Sequence, residues 1–356
     1  MSDRFLASLG ALAIGVAVVL LAQVSVAGQA NAAGEKAKKT AATKKWTPPL
    51  TPDGQPDLQG VWLSNSATPL ERPKALEGRQ FLTDAEVTEL KKRADRLFKS
   101  GNSDYAAGDN VFLAALANLE QYKSPTATHG SDNMVEREFD NRTSLIVGPP
   151  DGRIPPLTAE AQQRQAAEAA RQRLPAGPED LNNGNRCITY GVPRLGGNFG
   201  AGPYSYYQIL QTREYVVLIM EVIHDARIIP LNGRPHLPQS IRQWNGDSRG
   251  RWEGKTLVVD TTNFSPKSNF MGSAENLHLV ERFTRVAPDT IHYEITLSDP
   301  TTWTKPWTAA IPLKRTQDAI YEFACHEGNH ALMLGMLAGA RAEEKAAEEA
   351  AKRGSK

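Results

Sequence analysis

Cysteine is almost missing from this chain, with two residues among 356, Cys187 and Cys325. Two are too few for a disulfide framework and are most simply one bridge. Charge of a single sign is missing as well: 41 Lys and Arg stand against 40 Asp and Glu, a formal net charge of +1. That balance argues against a nucleic-acid partner, because neutralising phosphates needs a basic excess gathered in the folded part. A composition 40% hydrophobic and 23% charged also excludes a collagenous, coiled-coil or wholly disordered chain. The apolar run at 9–21 is too short for an ordinary membrane span.

That run has a different meaning. It follows Arg4 and is followed by small residues at Ser25-Val26-Ala27 and Ala30-Asn31-Ala32, the pattern of a secretory signal peptide cut after Ala27 or Ala32. Cleavage after Ala32 would leave 356 − 32 = 324 residues. The expected location is therefore periplasmic or secreted, with no membrane attachment after cleavage. An oxidising compartment permits the Cys187–Cys325 bridge. The Ala, Lys, Thr and Gly of 33–45 offer no apolar cluster and read as a disordered linker.

Glycine (28) and proline (23) are plentiful and point to many turns and short strands. Residues 46–186 read as an arm. A short strand at 58–63 would plug into the main body through Trp62 and Leu63. A helix opens at the Thr83/Glu86 capping box and runs to about 98, and a second, apolar-poor helix spans 158–173. Beyond Cys187 eight stretches rich in Val, Ile, Tyr, Phe and Thr read as strands: 205–212, 215–222, 227–231, 255–263, 277–286, 290–298, 307–315 and 320–325. A mainly β fold follows, an antiparallel meander barrel of lipocalin type over 187–330, with a C-terminal helix and tail at 331–356. Closure removes exposed edges, and a two-sheet sandwich is the competing architecture. A bridge from Cys187 to Cys325 would fasten the two ends of the strand region.

Alternation puts Leu277, Leu279, Glu281 and Phe283 on one face, and Glu221 with Tyr215, Val217 and Ile219. A carboxylate inside a barrel needs a partner, for which Arg227, Arg242, Arg249 and Arg251 are candidates. In Arg242-Gln-Trp-Asn-Gly-Asp-Ser-Arg-Gly-Arg-Trp-Glu-Gly, Trp244 and Trp252 could stack a planar or sugar ligand while Arg249 and Arg251 hold its polar groups. The alternative is a twisted hairpin whose tryptophans cover the barrel end. The glycine-rich run at 196–203 has the flexibility of a lid but lacks the strand and helix context of a phosphate loop.

His326-Glu-Gly-Asn-His330 matches the H-E-x-x-H zinc pattern, with His326 and His330 as metal ligands. A strand before it and Gly328 within it argue against the continuous helix that pattern requires. The third ligand would come from His224, His236 or a glutamate of the tail helix. His326 and Glu327 at the barrel rim could instead move protons, or merely form a capping network.

The segments Asp57-Leu-Gln-Gly-Val-Trp, Asp151-Gly-Arg-Ile-Pro-Pro-Leu-Thr, Arg251-Trp-Glu-Gly-Lys-Thr-Leu-Val-Val-Asp-Thr-Thr-Asn-Phe and Tyr321-Glu-Phe-Ala-Cys-His-Glu-Gly-Asn resemble those of a large family of exported bacterial proteins. The resemblance covers most of 50–345. The family pattern places an aromatic residue after Cys-His-Glu-Gly-Asn, so His330 departs from it, and the resemblance brings no activity with it.

These readings define the expectation of an exported β-barrel enzyme doing acid/base chemistry, as a lyase, hydrolase or isomerase, on a small carbohydrate or phenolic molecule and without a cofactor. His224 and His326 would carry protons, with Glu281 and Glu327 orienting them. Arg227, Trp244, Arg249 and Arg251 would bind the substrate. A non-catalytic carrier of the same ligand is the alternative, and a zinc hydrolase using His326 and His330 is a further one.

Overall fold

Nine strands roll into a nearly closed antiparallel barrel, and their order around the wall is not their order along the chain. The computed structural model describes residues 46–98, 110–122, 137–192 and 206–354. The expected signal peptide, the linker and the glycine-rich segment 196–203 lie outside the described residues. The wall comprises β1 (Gly60–Ser64), β3 (Tyr206–Gln211), β4 (Tyr215–Met220), β5 (Ala226–Pro230), β6 (Asp247–Glu253), β7 (Thr256–Thr262), β8 (His278–Ala287), β9 (Thr290–Ser298) and β10 (Trp307–Thr316). Around the wall the sequence is β5-β4-β3-β1-β10-β9-β8-β7-β6, and a short strand, β2 (Ile146–Gly148), pairs onto β10.

Two departures from a plain meander matter. First, β1 comes from the arm and is inserted between β3 and β10, with Trp62 opposite Tyr207 on one side and Arg315 on the other. The barrel is therefore not confined to 187–330. Second, nine is odd, so strands that alternate in direction cannot close without two like-directed neighbours. Those neighbours are β5 and β6, which share no ladder. Side chains close this seam instead: a Cβ at Gly250 would lie 2.7 Å from Leu231 and 2.8 Å from Ile229. Because both strands run the same way, residues 231–246 must cross back along the barrel between them.

The expected strand at 320–325 is a correction: those residues form no strand. Pairing to β1 and β2 along one edge and to β9 along the other leaves β10 no free edge for another strand to join. Conversely β6 is a wall strand within a segment expected to be either a ligand-stacking surface or a twisted hairpin at the barrel end. It pairs with β7 from Asp247 opposite Thr262 to Glu253 opposite Thr256.

Alternating inward residues, among them Leu279, Phe283, Ile291, Tyr293, Ile295 and Ile311, fill the interior. Trp62 and Trp307 are also fully buried. Outside the wall, α1 (Asp84–Phe98) begins at the expected capping box. Glu86 Oε2 accepts from the Thr83 amide at 2.8 Å, and Thr83 Oγ1 from the Glu86 amide at 3.3 Å. It packs on α2 (Asn110–Leu116) through Leu90, Ala94 and Phe112. Thr158 caps α3 (Ala159–Arg173), which buries only Ala161 but docks on the β9–β10 turn where Thr158 Oγ1 donates to Thr301 O at 2.9 Å. The last element is α4 (Asn329–Gly354). No helix among the described residues is long and apolar enough to cross a membrane. Cys187 and Cys325 form a disulfide.

Candidate functional site

Glu281 points into the barrel and is completely buried, as its place between Leu279 and Phe283 requires. Arg227 reaches it across the seam: Nη2 donates to Oε2 at 2.6 Å and Nη1 to Oε1 at 3.1 Å. Nη2 also lies 3.1 Å from Ser248 Oγ and 3.2 Å from Thr261 Oγ1, and the Tyr293 hydroxyl donates to Glu281 Oε1 at 2.5 Å. Burial first, then the Glu281 charge, pushes the Tyr293 hydroxyl well above the ordinary phenol range, so it remains a donor. The cavity left beside Arg227 and Tyr293 is about 10 Å³, room for roughly one water. This pair ties β5 to β8 and closes the seam, and nothing larger fits beside it.

The roomy space lies at the end of the barrel where β4 turns into β5 and β7 into β8. It is a cavity of about 360 Å³. Tyr190, Trp244, Phe264 and Phe270 supply its aromatic surface. Gln172, Asn182, Asn183 and Asn269 supply amides, and Thr189 and Ser268 hydroxyls. Among the described residues the lining holds no ionisable acid or base apart from the phenol of Tyr190. Four separate segments meet here: the end of α3, the run 182–192, the crossover and the β7–β8 loop.

Local chemistry fixes each of them. The Ser268 hydroxyl donates to Trp244 O at 2.8 Å, joining loop to crossover. Gln165 of α3 donates to Met271 O at 3.0 Å. Next to it Gly272 has φ +87°, a backbone that favours glycine, and a Cβ there would have to displace the Gln165 amide, 2.4 Å away. Asp299 anchors the far side of the loop, accepting from Ser273 at 2.5 Å and from Thr302 at 2.7 Å. Burial raises its carboxyl, but these hydroxyls and the hydroxyl and amide of Thr301 outweigh burial and hold it below the usual range.

Two carboxyls flanking the β4–β5 turn have no guanidinium partner among the described residues, and one of them, Asp225, reaches the cavity lining. Asp225 lies within reach of the Thr189 hydroxyl at 3.1 Å, and that hydroxyl is also 2.9 Å from the Asn245 side chain. Burial raises the Asp225 carboxyl against the lowering effect of Asn245 and Thr189. Burial likewise raises Glu221, opposed only by the Tyr321 amide that donates to its Oε1 at 3.2 Å. The turn between them is strained, with φ +55° at Ile223 and +42° at His224. A positive φ at a β-branched residue is uncommon and costs of order 1 kcal/mol.

The sequence-derived candidates are dispersed. Arg227 and Glu281 meet in the interior. Trp244 lines the end cavity, and exposed His224 directly precedes Asp225. Arg249 lies on the outer wall, paired to Asp247 at 2.8 Å, and Arg251 is there too, paired to Glu253 at 2.7 Å. His326, Glu327 and His330 are exposed, and the motif straddles a turn at Gly328 (φ +75°) and the first residues of α4 instead of one helix. Among the described residues no group of three or more His, Cys, Asp or Glu is arranged to hold a metal ion. Sequence reasoning missed most of the cavity lining, and it missed Asp225.

A second polar constellation runs along the outer wall. His236, on the crossover, places Nδ1 3.0 Å from Asp247 Oδ2 and Nε2 2.9 Å from Asp260 Oδ1. His278 Nε2 lies 3.0 Å from the other oxygen of Asp260.

No protein-family model matches the sequence, and no curated protein matches it.

Proposed function

We propose that this chain is an exported small-molecule-binding barrel protein whose ligand sits in the end cavity, outside the filled interior. The observation that carries this is the lining itself: about 360 Å³ of aromatic faces, amides and hydroxyls, with no carboxylate, guanidinium or ammonium among the described residues. The volume is within the range of small-ligand sites, roughly 300–1,000 Å³. A charged ligand would lose its hydration there without gaining a counter-charge. An uncharged molecule with a flat or CH-rich face and several hydroxyls satisfies both halves of the lining, which is the chemistry of a carbohydrate or a neutral phenolic glycoside. Export is supported by the signal-like N-terminus and by the disulfide, which persists in an oxidising compartment.

Asp225 favours a catalytic role in addition to binding. Its raised carboxyl is one hydrogen bond away from Thr189, a residue of the lining, and a carboxylic acid so placed is suited to give a proton to a bound oxygen. In this reading Asp225 takes the acid role, with His224 beside it as the proton carrier.

Screening neutral sugars, glycosides and phenols by thermal shift tests the proposal. A binder should raise the midpoint, and Trp244→Ala should abolish that rise while leaving the unliganded midpoint nearly unchanged. A binder whose effect survives Trp244→Ala, or a set of binders that are all anionic, would remove the cavity from consideration. Turnover of a binder that is lost in Asp225→Asn while affinity stays within a few-fold would establish catalysis.

A further inference from the structure

The crossover 231–246 exists because β5 and β6 run the same way, and an imidazole is one of the groups that tie it to the barrel wall. Both nitrogens of His236 face carboxylate oxygens, Asp247 at the start of β6 and Asp260 on β7. Asp247 is 4% exposed, and its oxygens are already engaged as acceptors: Oδ2 by the Leu237 amide at 2.9 Å, Oδ1 by Arg249 at 2.8 Å. Burial raises Asp260, but His278 and His236 outweigh it and hold that carboxyl below the usual range, so it is ionised. Ionised carboxylates only accept. An imidazole between two acceptors satisfies both only when both of its nitrogens carry hydrogen.

We propose that protonation of His236 latches the crossover to the outer wall and thereby sets how firmly the end cavity is held together. The charged and titratable groups that face the latch are Asp247 and Arg249 from β6, Asp260 from β7 and, through Asp260, His278 from β8. On the crossover itself its neighbours are Pro235 and Leu237. Loss of one proton leaves a lone pair against a carboxylate, and Asp247 cannot turn to water to relieve it. Other ties are neutral to pH, among them Asn263 donating to Leu237 O at 2.8 Å, Arg249 Nε to Pro235 O at 3.0 Å and Arg242 Nη1 to Glu275 O at 2.9 Å. Opening is therefore local to the strap and leaves the barrel folded.

The same strap reaches the cavity. Trp244 lines it, and Asn245 joins Thr189, another lining residue. Between Asn245 and β6 the chain pivots at Gly246, with φ +71° and a place for Cβ only 2.7 Å from Thr262 O. His278 extends the effect. Its hydrogen bond to Asp260, against the opposing effect of burial, raises its proton affinity, so its contribution is complete below the ordinary histidine pKa, about 6.5, and is lost as pH climbs through its higher folded value. Asp260 has the opposite sign and loses its contribution as pH falls through its lowered value. The Asp260–His278 pair thus supports the latch between those two limits and weakens on the alkaline side.

The influence on the cavity rests on the ligand-site reading above, whereas the latch does not. Hydrogen–deuterium exchange of the full chain, corrected for intrinsic rate, should show protection of 231–246 falling at least about tenfold between about pH 5.5 and about pH 8.5, with β8 and β9 unchanged. His236→Gln should be unprotected at both limits, and His278→Gln, which removes a cation sharing Asp260, should shift the response to higher pH. Acrylamide quenching of Trp244, read as the difference from Trp244→Phe, should rise over the same interval. Protection that stays flat in the unaltered chain, or an unaltered response in His236→Gln, would overturn the latch. A quenching response that stays flat while 231–246 opens would overturn its influence on the cavity. Neither readout uses a ligand, so a failure to find any sugar or phenol that binds bears only on the function proposed above.

Discussion

Inside the barrel an acid and a base are sealed together: Glu281 is 0% exposed and Arg227 7%, joined at 2.6 Å and filled around by hydrocarbon. At the barrel end the half-buried carboxyl of Asp225 has no guanidinium among its described partners and reaches Thr189, which lines a cavity of about 360 Å³. The difference teaches which polar groups a fold keeps for itself. A paired charge with every oxygen engaged in a space of about 10 Å³ is closure. A carboxyl raised by burial next to open volume is available for chemistry.

The largest effect that sharpens this contrast comes from the disulfide. Closing a loop of 138 residues is worth at most about 5 kcal/mol in the chain-entropy account. Cys187→Ser with Cys325→Ser should lower the urea midpoint accordingly. It should also loosen 182–192, on the cavity side, before the strands, as read by hydrogen exchange. Next comes the interior pair. Glu281→Gln leaves Arg227 buried without a counter-charge and should cost about 3–5 kcal/mol, while Arg227→Met with Glu281→Leu should recover much of it. Denaturation curves for both variants decide this. Should Glu281→Gln fold as stably as the parent, the interior pair is not what closes the seam.

Smaller is the loss expected at the cavity. Trp244→Ala should weaken a neutral glycoside by about 2 kcal/mol, some thirtyfold, in titration calorimetry. The smallest effect concerns pH. The folded pKa of Asp225 is raised, so its stabilising contribution is present below the unfolded value, about 3.9, and is lost as pH rises through the folded value. Stability should therefore decline over that interval, and Asp225→Asn should flatten the decline when urea midpoints are compared across pH. An unchanged slope would place the proton elsewhere.

Much of the barrel was legible because its inward faces obey strict alternation. The parity of Leu279, Glu281 and Phe283 put a carboxylate inside and called for an arginine, and Arg227 was among those named. The segment that became β6 hid itself, because its inward positions are Ser248, Gly250 and Trp252, one polar and one without a side chain, at a seam packed by Leu231 and Ile229. Residues 320–325 carried the pattern of a strand but found every edge of β10 taken. The cavity was illegible for another reason. Its lining comes from short pieces around 172, 182–192, 244 and 264–277, which share no period and meet only through contacts such as Ser268 with Trp244 and Gln165 with Met271. Trp244 was found because aromatic and polar residues cluster around it. Asp225 offered no such signal, since its significance lies in Thr189, 36 residues away.

The most direct measurement is a crystal structure of the full chain soaked with a neutral glycoside that shifts its melting. The account predicts density between Trp244 and the amides of Asn182 and Asn269, with Arg227 still on Glu281. Density within the barrel, with that pair parted, would contradict it.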